Sequence, residues 1–312
     1  MQLYFLGTGA GMPSKQRNVS ALVLNLQEEA GHCWLFDCGE GTQHQLLRAP
    51  IKMNKIDRLF VTHLHGDHIF GIPGLLTSRS NQGGEEPFTI HGPKGIREFV
   101  ETSLSVSVSH LRFELQFAEI AEGHIHDIRV HEDDHFEVSA ALLDHRMDSY
   151  GFRVVEKDRA GSLDVEQLKA LGIAPGPIYG KLKAGGVVHL PDGTTVDGRT
   201  LIGPPIRGRI AAILGDTREC PAVLDLSRNA DVLVHEATFA SDKQELAEQF
   251  YHSTAAQAAR LAVQAQVKML VLNHISPRYQ DGEEQELLNE AKSIFPDSHL
   301  ARDQWEFAIE RR

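Results

Sequence analysis

The sequence predicts an α/β protein, and three observations carry that expectation. Of seven short apolar or β-branched runs of strand length, five stop just before a histidine, an aspartate or a Gly-Asp pair. Between several of them lie amphipathic stretches opened by turn or capping residues, the pattern of strands feeding loops and helices. The chain has 312 residues, 41% of them hydrophobic and 24% charged, with 27 Gly and 13 Pro. That is room for one large α/β domain or two modest ones, and it is the composition of neither a fibre nor a disordered chain.

In chain order, strands are expected at residues 21–26, 34–36, 58–62, 138–143, 210–214, 232–234 and 269–272. Helices are expected at 42–48, 95–105, 254–266 and 283–293, the third opened by Thr254-Ala-Ala-Gln257, the pattern of a capping box. Residues 152–209 differ in character. They are rich in Gly, Pro and Lys, as in Ala174-Pro-Gly-Pro177 and Lys181-Leu-Lys-Ala-Gly-Gly186, and read as an excursion from the core. Nine Lys and Arg against six Asp and Glu make this segment basic within a chain of net charge -12. By itself it fits either a long solvated loop or a mobile arm that touches a polyanion. The acidic remainder argues against a surface that coats nucleic acid as a whole.

Three cysteines, Cys33, Cys38 and Cys220, form no disulfide framework and no Cys-x-x-Cys pair, and are expected to be small buried or half-buried side chains. The opening residues lack a basic segment followed by a long apolar one, and no apolar run approaches the roughly 20 residues of a membrane span. A cytoplasmic protein that does not cross a membrane is expected.

Seventeen histidines stand out, and their placement is not even. Thr62-His63-Leu64-His65-Gly66-Asp67-His68 follows a candidate strand directly. A turn leaving a strand can aim His63 and His65 one way and Asp67 and His68 another, giving two adjacent positions with nitrogen and oxygen donors that suit Zn²⁺. His145, Asp216 and His274 stand at the ends of other strands and can complete the two sets; singly, each is as well read as a structural histidine or a turn aspartate. His124, His126, His131 and His135 surround Glu132-Asp-Asp134 and read as a solvated face.

These seven residues together resemble the metallo-β-lactamase superfamily. Phe5-Leu-Gly-Thr-Gly-Ala-Gly-Met-Pro13 with Arg17-Asn18, Phe36-Asp-Cys-Gly-Glu-Gly-Thr42, His235-Glu-Ala-Thr238, His252-Ser-Thr254 and Asn273-His-Ile-Ser-Pro-Arg-Tyr279 narrow the resemblance to bacterial ribonuclease Z of the short form. That resemblance covers residues 3 to 305. It implies a four-layer αββα sandwich over 1–312, with residues 152–209 inserted as a flexible tRNA-binding arm. It also implies a zinc-dependent endoribonuclease that removes the 3′ trailer from precursor tRNA after the discriminator nucleotide.

By the same resemblance His63, His65 and His145 hold one Zn²⁺ and Asp67, His68 and His274 the other. Asp216 bridges them, and a hydroxide between the metals attacks the phosphodiester. Mn²⁺ or Fe²⁺ fits the same donors. Asp67 is the expected proton acceptor and His252 the expected general acid, its pKa supported by Glu236. Asp37 is expected to orient a ligand histidine. Arg17, Arg278, Lys181 and Lys183 are expected to grip RNA phosphates. A homodimer is implied, one subunit's arm serving the other's site. Another dinuclear hydrolase of the superfamily, acting on small phosphodiesters or esters or trimming RNA 3′ ends, is the alternative.

Overall fold

In the computed structural model the chain is described at residues 1–121, 127–280 and 282–311. His124 and His126 lie outside the described residues. The described strands, in chain order, are β1 (Gln2–Gly7), β2 (Ala21–Leu26), β3 (His32–Phe36), β4 (Ile56–Phe60), β5 (Phe88–Pro93), β6 (Leu115–Ile120), β7 (Ile128–Glu132), β8 (Phe136–Leu142), β9 (Tyr150–Glu156), β10 (Val187–His189), β11 (Thr195–Asp197), β12 (Ile210–Leu214), β13 (Val232–Glu236), β14 (Leu270–Asn273), β15 (Ser298–Leu300) and β16 (Trp305–Ala308). The chain forms two compact units, residues 1–155 with 209–310, and residues 156–208.

The larger unit holds two seven-stranded sheets, ordered β16-β1-β2-β3-β4-β5-β6 and β15-β14-β13-β12-β9-β8-β7. Leu3, Leu24, Phe36 and Phe60 from the first sheet meet Phe136, Phe152, Ile213 and Val234 from the second in one buried cluster. The first sheet's other face buries Leu35, Leu59 and Ile90 with Ile72 and Leu76 of the helix Ile72–Asn81, and Ile96 and Val100 of the helix Ile96–Val106. The second sheet's other face packs Leu233, Leu270 and Leu272 against the helices Pro221–Ser227, Ala255–Gln264 and Glu284–Ile294. The layers are therefore αββα, the four-layer arrangement expected. Apolar side chains on both faces explain why runs such as Leu270-Val-Leu272 look continuously apolar rather than alternating.

β3 pairs with β4 and β4 with β5 in parallel, as do β12 with β13 and β13 with β14. Their carboxyl ends deliver Asp37, His63, Asp216, Glu236 and His274, because strands buried on both faces leave the loops beyond their ends as the place for polar chemistry. The helix Ala255–Gln264 opens with the expected capping box: Thr254 and Gln257 satisfy one another's backbone N–H groups, which fixes the segment that carries His252.

The smaller unit is not a bare loop. Helices Val165–Ala170 and Pro177–Lys183 and the β10-β11 hairpin enclose a core of Leu168, Ile173, Leu182, Val188, Val196 and Leu201. Its edges correct the expected 152–209: Phe152 to Val155 belong to β9 of the larger unit, and Arg209 leads into β12. Arg153 Nη1 donates to the Leu226 carbonyl at 2.7 Å and Arg209 Nη2 lies 2.5 Å from Glu29, so two of the counted cations serve the larger unit. Residues 156–208 hold seven Lys and Arg against six Asp and Glu, close to neutral rather than clearly basic.

His131 departs from the solvated face expected of it. It is half-buried, edge-on to Trp34 at 5.3 Å between ring centroids, with Nε2 held 3.0 Å from Asp133. The three cysteines are free, Cys33 and Cys38 buried and Cys220 half-buried. Among the described residues no helix is long and apolar enough to cross a membrane.

Candidate metal centre

After β4 the chain continues through Thr62 and His63 to His65, which is extended (φ -64°, ψ 148°) and caps the short helix Gly66–Ile69. This turn places the histidines of one local string on two sides of Asp216. His63 Nε2 lies 3.0 Å from His65 Nδ1 and 3.7 Å from Asp216 Oδ2, and His145 Nε2 lies 3.3 Å from His65 Nδ1. On the other side His68 Nε2 and His274 Nε2 lie 3.6 and 3.3 Å from Asp216 Oδ2, and 3.6 and 3.4 Å from Asp67 Oδ2. Donors about 2.0 to 2.1 Å from one tetrahedral cation stand roughly 3.3 Å from each other, so these spacings fit metal ligation.

The far side of each ring shows which nitrogen faces the centre. Asp37 Oδ2 accepts a hydrogen bond from His68 Nδ1–H at 2.7 Å and another from the Thr62 hydroxyl at 2.8 Å. The Thr62 oxygen, its own proton committed, is left to accept from His63 Nδ1 at 3.0 Å. Thr238 does the same for His274: its hydroxyl donates to Glu236 Oε2 at 2.6 Å and its oxygen lies 3.0 Å from His274 Nδ1. His145 Nδ1 donates to the Tyr251 carbonyl at 2.8 Å. Four imidazoles thus turn Nε2 to the same volume, beside two carboxylates. That is the donor set of a borderline-soft divalent cation, and the residues fit it.

Three residues of the cluster adopt the left-handed backbone that is uncommon outside glycine: Asp37 (φ 55°), His274 (φ 55°) and Tyr251 (φ 61°). Asp144 and Arg218 tie the loops together. Their bidentate pair, with Nη2 2.8 Å from Oδ2, joins the loop of His145 to that of Asp216. The Arg218 guanidinium lies 4.0 Å over the Tyr251 ring, next to His252.

Burial holds His63, His65 and His145 below the usual imidazole pKa, with help from the neighbouring rings His68 and His145 at the first two, so they favour the neutral ligand form. Burial alone would raise Asp216 and Asp67, but His274 and His68 outweigh it and both carboxylates are held below their usual range. His252 differs. Burial opposes its charge, yet Glu236, 2.8 Å from Nδ1, and Asp216 overcome that and raise its pKa to about 9. Glu236 is only 2% exposed and also accepts the Thr217 N–H at 2.9 Å. His235 turns its Nδ1 to the Glu236 carbonyl at 2.7 Å, away from the cluster.

A cleft of about 320 Å³ opens on this cluster, lined by His65, Asp67, His145, His252 and His274 and reached by Arg278. Arg278 rests 5.6 Å over the Phe239 ring. Lys181 and Lys183 are exposed on the helix Pro177–Lys183 of the smaller unit. Arg17 does not grip phosphate as expected: it is 7% exposed, and its Nη1 donates to Thr8 Oγ1 and to the Ala301 carbonyl, both at 2.7 Å. It is a strut between the N-terminal loop and the chain before β16. Sequence reasoning assigned no role to Thr62, Thr238, Tyr251, Asp144 or Arg218. Only the two threonines carried a signal, one directly preceding His63 and one two residues after Glu236.

Residues 1–165 match the family model of the anti-Pycsar protein Apyc1. Over 311 residues the chain is 57% identical to ribonuclease Z of Geobacillus kaustophilus (strain HTA426), covering all of both chains. It is 56% identical over 312 residues to ribonuclease Z of Anoxybacillus flavithermus, covering all of this chain and 98% of that one. The crystal structure of human tRNase Z, short form, superposes with a TM-score of 0.73 at 32% identity, over 99% of this chain and 100% of that one. YhfI of Bacillus subtilis, a metallo-β-lactamase fold protein, superposes at 0.66 over 98% of each chain; at 16% identity it shows the fold alone. The first 165 residues make this chain a member of the family of the Apyc1 model, and identity over the whole length of both chains makes it, more narrowly, a member of the ribonuclease Z family.

Proposed function

We propose that this protein is a metal-dependent endoribonuclease that cuts the 3′ trailer from precursor tRNA after the discriminator nucleotide and leaves a 3′ hydroxyl. The observation that carries the reading is whole-length identity with ribonuclease Z, in a chain whose donors converge on one cleft. His63, His65 and His145 would hold one cation and Asp67, His68 and His274 a second, with Asp216 shared. Nitrogen-rich donors at these spacings favour zinc, and Mn²⁺ or Fe²⁺ can use the same set. Such a pair of cations supplies Lewis acidity toward the phosphodiester oxygens and brings the pKa of water from about 15.7 toward 7.

The chain's own residues supply the rest. Asp67, ionised and anchored by the Gly11 N–H at 2.7 Å, accepts the proton of the attacking water. His252 enters the reaction protonated, with Nδ1 engaged by Glu236, so its other N–H is the proton available to the departing ribose 3′ oxygen. Arg278 binds a phosphate beside the cut, and Lys181 and Lys183 bind the RNA backbone. The enzyme would act as a homodimer in the cytoplasm, one subunit's arm serving its partner's site.

The test is incubation of metal-loaded protein with a precursor tRNA bearing a 3′ trailer, followed by sequencing of product ends, with a chelator control. A single chelator-sensitive cut after the discriminator nucleotide supports the reading. Bound metal with no cut sinks it and turns attention to small phosphodiesters. Paired Lys181→Glu and Lys183→Glu should raise KM for precursor tRNA; a small-substrate enzyme would be indifferent to them.

A further inference from the structure

We propose that Arg146, its guanidinium over the Phe250 ring, is a stacking site for one of the two nucleotides that flank the scissile phosphate, so that the cleft selects unpaired RNA without reading its sequence. This rests on the ribonuclease reading above. Arg146 directly follows His145, and Phe250 stands two residues before His252; both line the cleft of the metal cluster. The guanidinium lies 5.2 Å from the Phe250 ring centroid and 5.9 Å from that of Tyr251, and Nη2 donates to the Gln249 carbonyl at 3.0 Å. These contacts hold a side chain that is otherwise exposed.

Arg218 shows what a purely structural arginine looks like in the same place. It too lies over an aromatic ring, but Asp144 takes its charge in a bidentate pair that binds two loops. Among the described residues Arg146 has no carboxylate within ion-pair distance, and Phe250 is 39% exposed although it sits beside the chemistry. A planar, uncompensated guanidinium beside a half-exposed phenyl ring offers a stacking surface to a base and a positive charge to its phosphate. Because these contacts already hold the side chain, less of its freedom is lost on binding. Every base has a π-face, so such a site tolerates any sequence but requires the base to be unstacked from a duplex.

The experiment places 2-aminopurine on either side of the scissile bond of a precursor tRNA and follows its fluorescence by stopped flow with excess metal-loaded enzyme, so that stacking is read before the cut. Wild type should quench the probe at one of the two positions. Arg146→Ala and Phe250→Ala should abolish the quench and raise the half-saturating enzyme concentration roughly five- to hundredfold, with bound metal unchanged. Arg146→Lys should behave like Arg146→Ala, since an ammonium keeps the charge and has no plane. A lysine variant equal to wild type, or variants that keep both quench and half-saturation while wild type cuts, overturns the stacking site alone. A wild type that neither cuts nor quenches overturns the ribonuclease reading with it.

Discussion

Two groups of histidines lie in the same two-sheet body, and only one of them is built to hold a cation. Around Asp216, the far nitrogens of His63, His68, His145 and His274 are engaged by a hydroxyl, a carboxylate or a carbonyl, and carboxylates stand among the near nitrogens. Deeper between the sheets, His91 stacks on Phe60 at 4.7 Å and lies 6.0 Å from His131, and neither of its ring nitrogens has a partner among the described residues. His32 stacks on Trp34 and its Nε2 is likewise unpartnered. The second group packs by its aromatic faces, and its carboxylates, Asp133 3.0 Å from His131 Nε2 and Asp57 3.8 Å from His32 Nδ1, each serve one ring. What makes an imidazole a ligand is the group that fixes its other nitrogen and the anions beside it, not proximity to further imidazoles.

The sharpest way to break that account is to remove the anion at its centre. Asp216→Ala should lose bound metal and activity together, because donors of both sets face one of its oxygens. His252→Ala should keep the metal and lower kcat by roughly 10² to 10⁴, the usual contribution of a general acid. Elemental analysis beside single-turnover rates separates the two, and equal metal loss in both variants would refute the division of labour.

A smaller effect tests the outer layer. Asp37→Ala removes the acceptor of His68 Nδ1 and of the Thr62 hydroxyl, and through Thr62 it also frees His63. Metal affinity should fall roughly 10- to 100-fold, the usual cost of losing a group that orients a ligand. Competition with a metallochromic chelator measures it, and an unchanged affinity would show that packing alone aims the rings.

The same contrast explains what could be read from the chain. His63, His65, Asp67 and His68 were legible because one turn carries them, so their spacing in sequence is their spacing in space. Asp216, His145 and His274 needed the resemblance, since a lone polar residue at a strand end looks like any turn. His131 was misread because its neighbours in sequence are acidic, whereas its neighbours in space are Trp34 and His91. The arm was misjudged for a related reason. Its Gly and Pro residues are contiguous and conspicuous, while Leu168, Leu182, Val188 and Val196, which give it a core, are scattered one at a time. β9 escaped notice because Arg153 interrupts its apolar run, and that error also lent the arm a positive charge that belongs to the larger unit.

The smallest expected effect probes the aromatic group directly. Burial, then His131 and Arg58, push the His91 pKa down to about 3, against about 6.5 in an unfolded chain. Between those pH values the unfolded chain binds a proton that the folded one refuses. Stability is therefore fully present above about pH 6.5 and is lost as pH falls toward 3, by up to about 1.4 kcal/mol per pH unit. His91→Phe keeps a ring on Phe60 and removes the titration. The wild-type minus variant difference in urea unfolding free energy should be level above pH 6.5 and fall below it. Running both proteins with chelator lets the histidines around Asp216, which titrate in the same range in each, cancel in the difference. A difference that stays level down to pH 4 would mean that His91 accepts its proton in the folded chain, with Asp133 beyond His131 as the anion within reach. The two histidine groups would then differ in degree rather than in kind.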